Sequence, residues 1–234
     1  MKLQRLLTVV LLLALGSGCG RNQGPVVEPD QAARASSADE TFPAGLPAIG
    51  KWMLAPDGMP AHWLNQIYDG KNLREPVNVI IVARAAKSAA EATDRLLRAL
   101  AAAGFPLRVG HSTGNSGLIG GVRHGQLGAG KAATFSDEPF ELKNNHGRIF
   151  GPYNQAGAYI FTAAFSREKV DPLAQVKHEF VSFNQARDAL ATRLERKTRY
   201  HRTGLIPLDN AVLGHRVLTT GDHDGIAVLL EAKE

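Results

Sequence analysis

Residues 76–83, PVNVIIVA, form a nearly continuous β-branched run, the pattern of a strand buried on both faces. The period then changes. Ala92, Leu96, Ala99, Leu100 and Ala103 fall on one helical stripe, Ser88 and Glu91 have capping-box spacing, and Gly104 stops the stripe before Phe105. A similar unit recurs further on. Residues 177–183, KHEFVSF, read as a strand, with Asn184 as the helix cap and Ala186, Leu190 and Leu194 on one face. Gly204 is expected to close that helix ahead of the strand-like LIPL. Between the two units, residues 158–165 place Tyr159, Phe161, Ala163 and Phe165 on one side of a strand, and residues 225–232, GIAVLLEA, alternate as well. Two β–helix–β halves with additional strands predict an α+β domain, helices packed on a mixed β-sheet. Trp52, Met53, Trp63, Leu64 and Ile67, scattered among Gly and Pro over residues 46–73, predict a segment that lays aromatic side chains over the domain edge.

The first twenty residues follow another rule. Lys2 and Arg5 precede a run from Leu6 to Leu15 broken only by Thr8. That is about half the ~20 residues a membrane-spanning helix needs, so it reads as a signal-peptide core. Gly16, Ser17 and Gly18 lead to Cys19, the single cysteine of the chain. Leucine, small residues and cysteine together resemble a bacterial lipobox, with Leu15 at −4 from the cysteine where −3 is usual. The resemblance implies removal of residues 1–18 and acylation of Cys19, a palmitate-type anchor. With several acyl chains, each CH₂ contributing about 0.8 kcal/mol, attachment is stable. Gly20 stands where an aspartate would signal inner-membrane retention, so the outer membrane, periplasmic side, is the expected location. Residues 19–45 are rich in Pro, Ala, Ser, Gln and acidic residues and read as a disordered tether with a reach of about 25–30 Å. Residues 46–234 remain for one domain.

Charge changes the picture little. The chain carries 27 basic and 22 acidic residues; losing Lys2 and Arg5 with the leader reduces its net charge from +5 to +3. That balance suits an anionic envelope surface as neighbour and does not point to nucleic acid. One cysteine in an exported chain forms no internal disulfide, which acylation of Cys19 explains.

Two short motifs invite a catalytic reading. Gly125, Gly130 and Lys131 match G-x-x-x-x-G-K, but Ala132 stands where a phosphate-binding loop needs Ser or Thr, and an exported protein meets no nucleoside triphosphate. Residues 110–114, GHSTG, match G-x-S-x-G, which nominates Ser112 as a nucleophile, with Asp209 and His215 or His223 as partners in chain order. The eight glycines between 110 and 130 disfavour the helix that a nucleophile elbow requires and suggest a flexible loop. His146, His178, Asp222, His223 and Asp224 lie near expected strand mouths and offer an acid–base or metal-binding set if they converge. Their surroundings, NNHG at 144–147 and GDHDG at 221–225, are also ordinary turn chemistry.

The segments PVNVIIV (76–82), AAAGF (101–105), AYIFTAAFSRE (158–168), KHEFVSFNQARDALATRL (177–194) and DGIAVLLEA (224–232) occur in an order similar to the C-terminal domain of LssY-type proteins. His178 stands alone where that family often has a pair, and the usual acidic residue before Arg187 is missing. The resemblance, over about residues 76–232, implies a fold and an association with bacterial envelopes more than a reaction. Together these readings describe an envelope lipoprotein with a binding or scaffolding domain. Its expected partners are the membrane, through the lipid, and an envelope protein or cell-wall component. No cofactor is expected beyond that lipid. A periplasmic hydrolase, using Ser112 or a His/Asp metal site, is the alternative.

Overall fold

A computed structural model describes residues 39–109, 114–128, 132–171 and 177–233. The leader, Cys19, the tether up to residue 38, Ser112 with its neighbours, and Gly130 with Lys131 lie outside the described residues. In chain order the strands and helices are β1 (Glu40–Thr41), β2 (Ile49–Gly50), β3 (His62–Tyr68), β4 (Lys71–Arg74), β5 (Val79–Ala83), α1 (Ala89–Ala102), β6 (Leu107–Val109), β7 (Ser116–Ile119), β8 (Val122–Gly125), β9 (Ala132–Ser136), β10 (Asn144–Gln155), β11 (Ala158–Asp171), β12 (Lys177–Ser182), α2 (Phe183–Lys197), β13 (Tyr200–Pro207), β14 (Leu218–Thr219) and β15 (Ile226–Ala232). The protein is α+β.

The main sheet runs β13-β15-β5-β11-β10-β9-β6, and β12 also pairs with β11. It is mixed: β5 and β15 are parallel, and its other neighbours are antiparallel. β5 is buried at every position, as its apolar run demands. Following the pairings across the sheet, β6 points the same way as β5, so β5-α1-β6 is a β-α-β crossover. β13 points opposite to β12, so the second expected half is not one. Both helices cover one face, where Leu96, Leu100, Leu190 and Leu194 meet Ile81, Phe161, Phe165 and Leu230.

The helix ends differ in how far the pattern located them. At α1, Ser88 Oγ accepts the Glu91 amide at 3.1 Å, and the Glu91 carboxylate accepts the Lys87 amide at 2.8 Å. Gly104 turns the chain at φ +83. At α2 the cap is Ser182 and not Asn184, its Oγ accepting the Gln185 amide at 2.9 Å. β12 enters the helix without a loop, so its last extended residue has the non-helical backbone that a cap requires. α2 stops at Thr198 rather than at Gly204, which lies inside β13 at a register shift.

β5 and β12 lie in line along the same edge of β11, β5 on Tyr159–Ala163 and β12 on Arg167–Asp171. The Asn78 side chain fills the seam. Its Oδ1 accepts the Phe165 amide at 3.0 Å and its Nδ2 donates to the Phe165 carbonyl at 2.8 Å, replacing a missing backbone partner.

The other face of the sheet is covered by residues 39–76 and by the β7–β8 hairpin. Trp63 and Met53 are buried there as the aromatic pattern suggested. The domain begins before residue 46: β1 pairs with β2, Thr41 Oγ1 donates to the Leu208 carbonyl at 2.8 Å, and Trp52 Nε1 donates to Asp39 at 2.9 Å. Residues 39–45 therefore belong to the fold and not to the tether. Part of the expected glycine-rich loop is also ordered. Gly120 and Gly121, at φ +61 and +71, make the tight turn between β7 and β8, for which left-handed backbone is required at both positions.

Candidate functional site

Residues 144–148 are strand and not turn. They open β10, and the sheet period sends Asn144, His146 and Arg148 to the face away from the helices. Gly147, pointing to the helix side, leaves room for the Phe165 ring, which a Cβ would strike. Asn144 pairs across to Glu168, His146 to Ser166 and Arg148 to Ala164 on β11. On β12, Phe180 lies opposite Glu168 and His178 opposite Val170, so these strands bring one set of polar side chains together.

The bonds fix their direction. Asn144 Nδ2 donates to Glu168 Oε1 at 2.6 Å and to the Leu142 carbonyl at 2.9 Å, so its Oδ1 faces His146 Nδ1, 2.9 Å away. His146 therefore carries its proton on Nδ1, leaving Nε2 to accept from Ser166 Oγ at 3.4 Å. Ser166 in turn receives the Trp63 indole N–H at 2.9 Å. The result is a directed chain, Trp63 to Ser166 to His146 to Asn144 to Glu168.

Glu168 is 1 % exposed, and the His178 imidazole stands beside it, Nδ1 3.0 Å from its Oε2. Arg148 and Glu75 complete the buried charges. Burial lowers the Arg148 pKa against the opposing fields of Glu75 and Glu168, and burial raises that of Glu75 against the field of Arg148. His146, Arg148, Glu168 and His178 line a narrow cleft beneath Leu64 and Phe140. It encloses about 20 Å³, room for one water molecule. Leu64 and Asn65 both take left-handed backbone, φ +46 and +52, where the pairing of β3 with β4 shifts register between His62 and Ile67.

Asp222, His223 and Asp224 do not join this cluster. Asp222 caps α2, its Oδ1 accepting the Phe183 amide at 2.8 Å and its Oδ2 accepting the Ser182 hydroxyl. A carboxylate is favourable at that helix end. Asp224 accepts from Arg187 at 2.7 Å; burial opposes its ionisation, but the Arg187 bond and charge bring its pKa below the usual value. Burial likewise works against the Arg187 charge, yet its bonds to Asp224 and Asp188 carry its pKa above normal. Asn210 Nδ2 donates to the Lys51 and Val77 carbonyls, so its Oδ1 must accept from His223 Nε2, at 2.8 Å. His223 thus carries a proton on Nε2, and burial pushes its pKa down to about 4, which leaves the ring neutral near pH 7.

The five residues nominated for a metal therefore fall into two groups, because strand alternation aims His146 and His178 at Glu168 while the 221–225 turn aims its side chains at α2 and Asn210. Among the described residues no three His, Cys, Asp or Glu side chains are arranged to hold a metal ion. Ser112 lies outside the described residues, so its surroundings are not placed. Of its nominated partners, His215 Nδ1 accepts the Val217 and Leu218 amides at 3.3 and 3.1 Å, a turn role, and Asp209 occupies left-handed backbone.

Sequence reasoning missed Glu168, the centre of the cluster, together with Arg148, Ser166 and Glu75. Its signal was present: Asn144, His146 and Arg148 are polar at every second residue, and Ser166 and Glu168 continue the non-aromatic face of β11. Comparison with models of protein families, with curated proteins and with solved structures gave no match.

Proposed function

We propose that this chain is an envelope lipoprotein, anchored through Cys19 in the outer membrane and facing the periplasm, whose domain binds or scaffolds another envelope component. The observation that carries this reading is the closely filled Glu168 cluster. Trp63, Ser166, His146, Asn144 and Glu168 are joined in one hydrogen-bonded chain, and the space left among them suits a single water rather than a substrate. The LssY-like order of segments and the lipobox-like leader favour the same compartment. Metabolic labelling with palmitate tests the anchor: Cys19→Ser is expected to lose label and leave the membrane fraction, and retention of both would sink it. Capture of an envelope component by the anchored chain, lost on disruption of the domain, tests the binding role.

A second reading is a periplasmic hydrolase, favoured by one observation: the His178 imidazole, 19 % exposed at the cleft mouth, is backed by a buried carboxylate at 3.0 Å. A carboxylate-backed histidine is a suitable general base. Ester hydrolysis by the purified chain, abolished by His178→Ala or Ser112→Ala, would replace the binding reading with this one.

A further inference from the structure

A second cavity, on the helix side of the sheet, is larger and differently built. It encloses about 320 Å³ beyond the carboxyl ends of the parallel strands β5 and β15, between α1 and the start of β13. That is the low end of the roughly 300–1,000 Å³ of small-molecule sites, and the carboxyl ends of parallel strands are where ligands of α/β sheets bind. Its walls are basic: Arg95 and Arg98 from α1, Arg199 before β13, and Lys233 after β15.

The cations are not equivalent. Arg95 is held in place, donating to the Ala85 carbonyl at 3.0 Å and to Glu91 at 2.6 Å. Arg98 makes only a long, exposed contact with Asp94, 3.8 Å. Arg199 and Lys233 are set side by side by the bond from the Lys233 amide to the Arg199 carbonyl, 3.0 Å, and neither has a carboxylate partner among the described residues. Among the described residues, four cations against the carboxylates of Glu91 and Asp94 leave two positive charges. The remaining wall is apolar, with Ala83, Ala99 and the buried Tyr200 among its residues.

We infer that this cleft binds a phosphate monoester, its phosphoryl group between Arg199, Lys233 and Arg95 and a short organic portion against the alanines and Tyr200. A monoester carries about −1.5 to −2 at pH 7, matching the uncompensated charge, and guanidinium groups bind its oxygens in pairs. The volume leaves room for more than the phosphoryl group. Such a monoester comes either as a soluble organic phosphate or as a lipid headgroup.

Calorimetric titration of the purified full chain with glycerol 3-phosphate tests the site, alongside inorganic phosphate and flotation with vesicles of phosphatidylcholine with and without phosphatidate. Saturable binding of glycerol 3-phosphate, weakened at least tenfold in the double variant Arg199→Ala, Lys233→Ala and unchanged in Lys71→Ala, is expected for a soluble ligand. Binding confined to phosphatidate vesicles with the same variant pattern assigns the lipid source. Binding to neither probe, inorganic phosphate binding as well as glycerol 3-phosphate, or equal loss in Lys71→Ala would overturn the proposal. The titration does not depend on Cys19 acylation, so failure of the anchor and failure of the cleft are read separately.

Discussion

The two histidine–carboxylate groups of this domain use the same residue types under opposite rules. On β10, β11 and β12 the groups are spaced by the sheet, so residues distant in sequence meet around Glu168. In the 221–225 turn, Asp222, His223 and Asp224 are consecutive and their side chains diverge, to the α2 amides, to Asn210 and to Arg187. Adjacency in sequence gave three separate structural tasks, and alternation gave one cluster. Chemistry is therefore to be sought where strands align polar positions, not where polar letters crowd together.

The largest effect should follow from removing the centre of the strand cluster. Glu168→Ala leaves Arg148 and His178 with an unmatched buried environment and is expected to cost about 3–5 kcal/mol of stability in denaturant titration. A loss below ~1 kcal/mol would mean that the groups around it do not act together. Next comes the pH response of the turn. Unfolded histidine takes up a proton below about 6.5, while His223 in the fold resists until about 4. The unfolded chain thus binds more protons in that window, and stability falls as pH drops through it, by up to ~3 kcal/mol. His223→Gln should flatten the profile between those limits; an unchanged slope would assign the effect to other groups.

Two glycines then separate strand from turn. Gly147→Ala drives a methyl group into Phe165 and the Ala164 carbonyl and is expected to cost about 1–3 kcal/mol or more. Gly225→Ala has to hold φ +81, a strain of about 1–2 kcal/mol, with only ordinary contacts to Ala211 and Asn210. Thermal melts that rank Gly225→Ala above Gly147→Ala would contradict the tight packing at β10. The smallest change is Ser182→Ala, about 1 kcal/mol for a lost cap, with helical content kept because Asp222 still accepts the Phe183 amide.

Where burial and period speak together, the sequence was a good guide. The core strand β5, the capping box of α1, and the Tyr159–Phe165 face all reflect local rules that tertiary context reinforces. The 144–148 segment was misleading because Asn, His and Gly favour turns by intrinsic propensity, whereas here Gly147 is required for contact and Asn144 and His146 for bonds to β11. Glu168 was obscured for a related reason. A carboxylate within a strand declares its role only through its neighbours across the ladder, and those lie some twenty residues earlier on β10 and ten later on β12. The start of the domain was misplaced because residues 39–45 offer one large apolar side chain, the exposed Phe42, yet are tied down by three side-chain bonds and a two-residue pairing.

Asn78 gives the sheet a property that an uninterrupted strand would not have. One line of the sheet is assembled from two stretches of chain about a hundred residues apart, spliced by a single carboxamide. The upstream stretch is buried at every position, while the downstream one turns the half-buried His178 to the cleft and packs Phe180 against Trp63, Leu73 and Phe183. The mouth of the Glu168 cleft at His178 is therefore carried by a stretch separate from the strand that holds the domain together, and Phe180 and the Ser182 cap tie that stretch to the Trp63 cluster and to α2.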